Sequence, residues 1–296
     1  TGAVDGFLRV GLRVTMPTPD RNVRQVAPTV ATDTVLGKVV AVLFAFSAND
    51  SGLSLAELGR RTGLAKGTLH RVVGDLVRAR LLDRTDHGYR LSGLVFELGM
   101  RASVERRLLE VATPFMEDLR ERTRETVHLG VLEGQEVVYV AKIGGHRQAT
   151  TPSRIGGRMP LYCTAIGKSL LAHSPPQLLA DVVSSGLTRR TPRTITAPGL
   201  LRRQLDRVLE EGVAYEYEES AVGIVCIAAP VLDAHDQPLA AISVTGPVTR
   251  FQPEKHAVAV RAAAAGVAAT VARRSSMRAP DPGPSGNDVP LSGPSR

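Results

Sequence analysis

The amino-acid sequence predicts an α+β protein in which a small helical unit carrying a two-stranded ribbon precedes a larger unit built on an antiparallel sheet. Three observations carry that expectation. The stretch SLAELGRRTGLAKGTLHRVVGDLVRARLLDRTDHGYRL (54–91) alternates helical periodicity, a glycine turn, a second helical pattern and two short β-like runs. Beyond Glu125 apolar residues stop recurring at helical spacing, and strand-like runs are interleaved with helices, the order of an α+β domain rather than of a parallel βαβ sheet. At 296 residues, finally, the chain exceeds the length one core usually serves, so two domains are expected.

Taken in order, residues 1–32 are polar and proline-dotted and are expected to be a flexible extension, with Met16 a candidate initiator. Val35, Val39, Val42, Leu43 and Phe46 recur at helical spacing and predict a first helix, ended by the turn chemistry of Asn49-Asp50-Ser51-Gly52. Ser54 can cap a second helix, with Glu57 completing a capping box, and Gly63 turns the chain into a third helix over about 65–79. Leu81–Arg84 and Tyr89–Leu91 flank Asp86-His87-Gly88 as a hairpin. Together 33–92 is expected to be one winged helix-turn-helix domain, 93–106 a linker helix and 107–274 a second domain. The helical stretch between them is expected to break near Pro114, because proline removes a helix hydrogen bond.

VHLGVLEG and EVVYVAKI then predict two strands joined by a tight turn, and a glycine-rich loop leads into MPLYCTAIGKSLLAH. Helices are expected near 165–173, 175–185 and 198–211, strands in VAYEYEE, VCIAAPVL and PLAAISVTG, and an amphipathic helix over about 253–274. The Pro-, Ser- and Gly-rich residues 275–296 are expected to be a disordered tail.

Composition narrows the function classes. No apolar run reaches membrane-span length and the first residues have no signal-type apolar core; the two cysteines form no Cys-x-x-Cys. A cytoplasmic location is expected, with no membrane partner. The His residues at 128, 146, 173, 235 and 256 have no metal-ligand spacing, so neither metal nor cofactor is expected. A net charge of +8 favours polyanionic partners, although 33–91 holds nine Lys/Arg against six Asp/Glu and placement matters more than the total.

That placement points to double-stranded DNA. In the third helix Leu69, Val72, Val73 and Leu76 can face a core while Lys66, Thr68, His70 and Arg71 stay outside, in the part that a recognition helix inserts into the major groove. Arg60 and Arg61 end the preceding helix, which crosses the phosphate backbone in such modules, and Arg84 and Arg90 lie on the wing strands. Ala65 is a weak helix entry where a hydroxyl cap would be stronger.

Three further segments, GGRMPLYCTAIGKSLLA (156–172), EGVAYEYEESAVGIVCIAAPV (211–231) and ISVTGPVTR (242–250), lie in that order behind the winged helix and together resemble the IclR family of bacterial transcriptional regulators. The resemblance spans about 34–274. It implies a linker helix leading to a GAF-like effector-binding domain, in a homodimer or dimer of dimers that regulates nearby operons, as a repressor or an activator, under control of a small molecule. No catalytic residue is expected. Ala165, Ile166 and Gly167 open a helix whose exposed N–H groups favour an anion, and Glu216, Cys226, Ser243 and Thr245 match effector-lining positions of family members that answer to small keto-acids. Ser243 and Thr245, two apart on a strand, share a face. Two departures stand out: Glu216 replaces the usual Asp of those relatives, and Tyr162 the common His. Resemblance to those acid-binding relatives implies a small organic acid as effector, and the two departures leave its identity open.

Alternatives attach to particular residues. Cys163 and Cys226 are expected to be buried thiols, but could serve as a redox sensor, and Cys163 as a nucleophile would make the second domain an enzyme. Glu216, Glu218 and Glu219 read as a solvated strand edge or as partners of nearby arginines.

Overall fold

The structure is a computed structural model that describes residues 32–47, 50–101, 103–144 and 151–276. The disorder expected of 1–32 and 275–296 falls almost wholly outside them, as does 145–150 of the glycine-rich loop. The chain divides into two units, Thr1–Leu94 and Val95–Arg296.

In the first unit three helices, α1 (Val35–Phe44), α2 (Leu55–Thr62) and α3 (Lys66–Arg78), pack around Val42, Phe46, Leu58, Leu69, Val72, Val73 and Leu76. Each such side chain contributes about 1.5–3 kcal/mol on leaving water. Ser54 Oγ accepts from the Glu57 N–H at 3.1 Å, and Gly63, at φ 69°, closes α2 in the left-handed conformation that glycine adopts without strain. Only half of the expected capping box forms, because the Glu57 carboxylate turns to Arg60 and Arg61. No side chain caps α3 at Ala65.

The wing is β1 (Leu82–Thr85) paired antiparallel with β2 (Gly88–Leu91). Its turn is Asp86-His87, one residue shorter than expected, because Gly88 already belongs to β2. The reason is local: Tyr89 exchanges backbone hydrogen bonds of 2.8 Å with Leu53, and a Cβ on Gly88, at φ 121°, would stand 2.2 Å from the Leu53 carbonyl oxygen. A short helix, α4 (Gly93–Gly99), contains the division between the units.

In the second unit, helix α5 (Ser103–Thr123) runs through Pro114 without a break, against expectation. Pro114 stands on its exposed side while Val111, Ala112, Met116 and Leu119 are buried, so tertiary packing carries the helix past the missing N–H. Six antiparallel strands follow: β3 (Thr126–Glu133), β4 (Glu136–Ile143), β5 (Arg158–Pro160), β6 (Ala214–Tyr217), β7 (Ile224–Leu232) and β8 (Pro238–Pro247), in the spatial order β5-β4-β3-β8-β7-β6. The edge strand β5 is not among the strands expected from the sequence, because three residues ending in proline carry no alternation to recognise. Helices α6 (Ala165–Ala172), α7 (Pro176–Ser184) and α8 (Pro198–Glu211) precede β6, and α9 (Ala257–Ser276) follows a 3-10 turn at Pro253–His256.

Period-2 alternation gives the sheet two unlike faces. Val127, Leu129, Ile227, Ile242 and Val244 meet α5 and α9 in an apolar layer. The opposite face meets α6 and α8 through Tyr139, Cys226, Ala228 and Ala241, and it also carries polar side chains.

Candidate functional site

In the first unit α3 presents Lys66, His70 and Arg71 to solvent and Thr68 at half exposure, all on the side away from the core. The arginines differ in their attachments. Arg60 is exposed and held by Glu57 at 2.6 Å and 2.8 Å. Arg90 reaches Asp83 at 3.2 Å, and Arg84 is exposed on β1. Arg61 is turned inward: it bonds both oxygens of Asp50 (2.7 and 3.1 Å), the Ala45 carbonyl (2.9 Å) and Glu57 (2.7 Å). Arg60 first, then Arg61, hold the Glu57 carboxyl down at about 2.

On the polar face of the sheet, register builds the second site. One cross-strand row runs Glu216–Cys226–Thr245–Thr126 over β6, β7, β8 and β3. The next runs Ala228–Ser243–His128–Lys142 over β7, β8, β3 and β4. Glu216, Cys226, Ser243 and Thr245, separated by up to 29 positions in sequence, thus share one buried patch. Cys226 Sγ lies 3.1 Å from Thr245 Oγ1, which lies 3.4 Å from His128 Nδ1; His128 Nε2 is 2.8 Å from Ser153 Oγ. Lys142 Nζ donates to Thr151 Oγ1 and the Ser153 carbonyl, both at 2.8 Å. Tyr139 packs edge-on against His128 at 5.3 Å.

Burial sets the protonation of this patch. Burial, then the Lys142 charge, push His128 down to about 3, so the ring is neutral. Burial pushes the Glu216 carboxyl up, against hydrogen bonds from Ser220, whose N–H donates to Oε1 at 2.9 Å and whose hydroxyl also donates there. The Thr126 hydroxyl is buried without a partner among the described residues.

Helix α6 lies over the patch. Thr164 caps it by accepting from the Gly167 N–H at 3.0 Å, so that donor is already engaged, while the Ala165 and Ile166 N–H groups belong to the first turn, which has no intrahelical acceptor. A Cβ on Gly167 would stand 2.3 Å from the Leu161 carbonyl oxygen, which gives this glycine a packing role. A Cβ on Gly130 would meet Ile166 Cγ2 at 2.9 Å, so α6 sits directly on β3.

The acidic run corrects an expectation. Glu218 does pair with Arg193, at 3.2 Å, but Glu216 and Glu219 are buried. Glu219 accepts from Lys168 Nζ at 2.5 Å in an ion pair closed to solvent, with Gln204 taking a second Lys168 bond at 2.6 Å. Tyr162 sends its hydroxyl to the Thr188 carbonyl at 2.7 Å. Cys163 and Cys226 are free and buried, and burial pushes both thiols up. Sequence reasoning missed Thr126, His128, Tyr139, Lys142, Lys168 and Ser220. Polar residues alternating with Val127 and Leu129 on a strand buried on both faces were the available signal for the first two.

Comparison with known proteins decides the lineage. The family model for the IclR helix-turn-helix domain matches residues 35–86, and that for the bacterial transcriptional regulator IclR C-terminal matches 100–272. The chain belongs to the IclR family. It is 34% identical over 221 residues to the HTH-type transcriptional regulator KdgR of Escherichia coli, covering 74% of this chain and 84% of that one. It is 35% identical over 219 residues to the HTH-type transcriptional regulator Rv1719 of Mycobacterium tuberculosis, covering 73% and 83%. Among solved structures, an IclR homolog from Microbacterium hydrocarbonoxydans complexed with 4-hydroxybenzoate superposes with a TM-score of 0.76 at 33% identity, over 81% of this chain and all of the other. This chain of the IclR family is accordingly a DNA-binding transcriptional regulator with a C-terminal effector domain.

Proposed function

We propose that this IclR-family chain represses a neighbouring operon as a homodimer or dimer of dimers, and that a small organic acid seated on the polar sheet face under α6 controls it. The observation that carries the effector reading is the pair of cross-strand polar rows, buried where an apolar layer would be cheaper to fold. Within it the Ala165 and Ile166 N–H groups suit a carboxylate, Ser243 and Thr245 can donate to a ligand oxygen, and Glu216, Cys226 and the unpartnered Thr126 hydroxyl complete a lining for a hydroxylated acid. The aromatic hydroxy acid held by the Microbacterium relative is of that class. The ligand acts through unequal affinity for DNA-competent and incompetent states.

On the DNA side, Lys66, Thr68, His70 and Arg71 would enter the major groove, with Arg60, Arg84 and Arg90 on phosphates. Arg61 is assigned to holding the unit together. A regulator of this kind works beside the chromosome, in the cytoplasm. Among the described residues no helix is long and apolar enough to cross a membrane, and no three His, Cys, Asp or Glu side chains gather as a metal site requires. The redox and enzymatic alternatives both need a reactive thiolate, which burial of Cys163 and Cys226 disfavours.

A thermal-shift series with 4-hydroxybenzoate and small 2-keto acids tests the effector reading, since a ligand of the folded state raises its melting point. A shift that Ser243→Ala and Thr245→Val abolish supports it. Acids that leave both the melting point and the gel shift on the upstream DNA unchanged overturn it. In the same gel shift Lys66→Ala and Arg71→Ala are expected to weaken binding, and peroxide to leave it unaltered.

A further inference from the structure

Helix α3 carries two residues that its own packing does not explain. Side chains three or four apart share a helix face, and the face opposite buried Leu69, Val72, Val73 and Leu76 carries Gly67, Arg71, Gly74 and Arg78. Glycine is a poor helix former because it loses the most backbone freedom on folding. Inside a helix it usually answers a neighbour's need for room, as at Gly59, where a Cβ would touch Leu69 Cδ2 at 3.5 Å. At Gly67 a Cβ would meet nothing within 4 Å, and at Gly74 only the far end of Arg78, at 3.8 Å. The room is left on the outside.

On the outward face of α3 the charges single out the residue between them; Arg80 and Arg84 are unpaired as well among the described residues, but stand beyond this helix. Arg60, Arg61, Arg78 and Arg90 all have carboxylate partners. Arg71 is exposed and, among the described residues, has neither an ion pair nor a hydrogen bond. One uncommitted planar guanidinium therefore projects from the outward face with a bare backbone about one turn to either side.

We propose that Arg71 sets the sequence preference of this chain by reading a guanine edge in the major groove, with Gly67 and Gly74 letting α3 settle deep enough for it to reach. The inference rests on α3 being the DNA-reading helix. Guanine presents two acceptors, O6 and N7, which the guanidinium fork meets with two parallel bonds, whereas an ammonium supplies the charge without that geometry. A phosphate contact would serve as well with lysine, so the two roles separate experimentally.

The test uses the full-length chain, the duplex that it selects from a randomised pool, and a random-sequence duplex of equal length. Arg71→Lys is expected to bind the random duplex like wild type but to lose roughly tenfold or more on the selected one. Replacing the selected guanine by 7-deazaguanine should weaken wild type and leave Arg71→Lys unchanged. Gly67→Gln with Gly74→Gln introduces two good helix formers without charge; the thermal midpoint should hold or rise while selected binding again falls roughly tenfold. Sequence preference retained by Arg71→Lys, or wild-type affinity in the double glutamine variant, overturns the inference while leaving α3 the DNA-reading helix. A wild-type chain that selects no sequence overturns the inference together with that assignment.

Discussion

The first unit keeps its polar chemistry outside and the second keeps it inside. Around α2 and α3 the core is apolar throughout, Ser92 is the one buried polar residue among those described, and the cations other than Arg61 face solvent. The sheet unit instead buries a histidine, a lysine, two glutamates and several hydroxyls on one face. Residues of the first kind can be exchanged for new DNA contacts at little cost to folding. Under the proposed function, those of the second kind serve recognition and stability together, so an effector pocket of this construction would resist change by single substitutions. A buried polar group left alone costs more than an exposed one ever contributes.

The largest expected effect lies at the most deeply buried charge. Lys168→Met removes the buried ammonium that α6 itself carries and leaves Glu219 uncompensated, which should cost about 3–5 kcal/mol in urea unfolding of the whole chain. Glu219, already pushed up by burial, can escape by taking a proton. The deficit of Lys168→Met should therefore shrink between pH 7 and pH 5, and adding Glu219→Leu should recover most of it at both. An undiminished stability in the single variant would mean that the inside of this unit tolerates change as the outside of the other does.

Next comes His128. Its folded pKa of about 3 lies below the ordinary histidine value, so the unfolded chain binds the proton more readily. The stability it contributes is complete above about pH 6.5 and is lost as pH falls toward 3, with a limiting slope of about 1.4 kcal/mol per pH unit. Glu216, pushed the other way, contributes the opposite slope, lost as pH rises through its folded value. Comparing wild type with His128→Gln isolates the histidine, since Glu216 is common to both. The variant should lose less stability than wild type between pH 6.5 and pH 5; parallel curves would show that His128 is not held neutral.

The same contrast explains what the sequence disclosed. Lys66, Thr68, His70 and Arg71 were legible because a helix with one apolar face assigns everything else to solvent. Ser243 and Thr245 were legible as a pair by strand alternation, but nothing local joins them to His128, Cys226 or Glu216; that takes the register of four strands. Resemblance supplied Glu216, Cys226, Ser243 and Thr245 and was silent on His128 and Lys168. Pro114 misled because local propensity was overruled by the burial of Val111 and Met116 on either side of it. The acidic run misled for the converse reason: charge in a sequence suggests water, and the Lys168 partner of Glu219 lies 51 residues away.

Arg61 tests the contrast from the other side, with the smallest effect. It is the cation of the first unit that behaves like those of the second, bridging Asp50, Glu57 and the end of α1 with 29% of its side chain exposed. Solvent screening limits such a bridge, so Arg61→Ala should lower stability by about 1 kcal/mol. DNA affinity measured well below the melting point should stay within about twofold of wild type, a change of under 0.5 kcal/mol. Arg71→Ala should do the reverse, leaving the melting point alone and weakening DNA binding. If Arg61→Ala instead melts like wild type and loses its operator, the residue is a phosphate contact, and the first unit has no inward-facing cation.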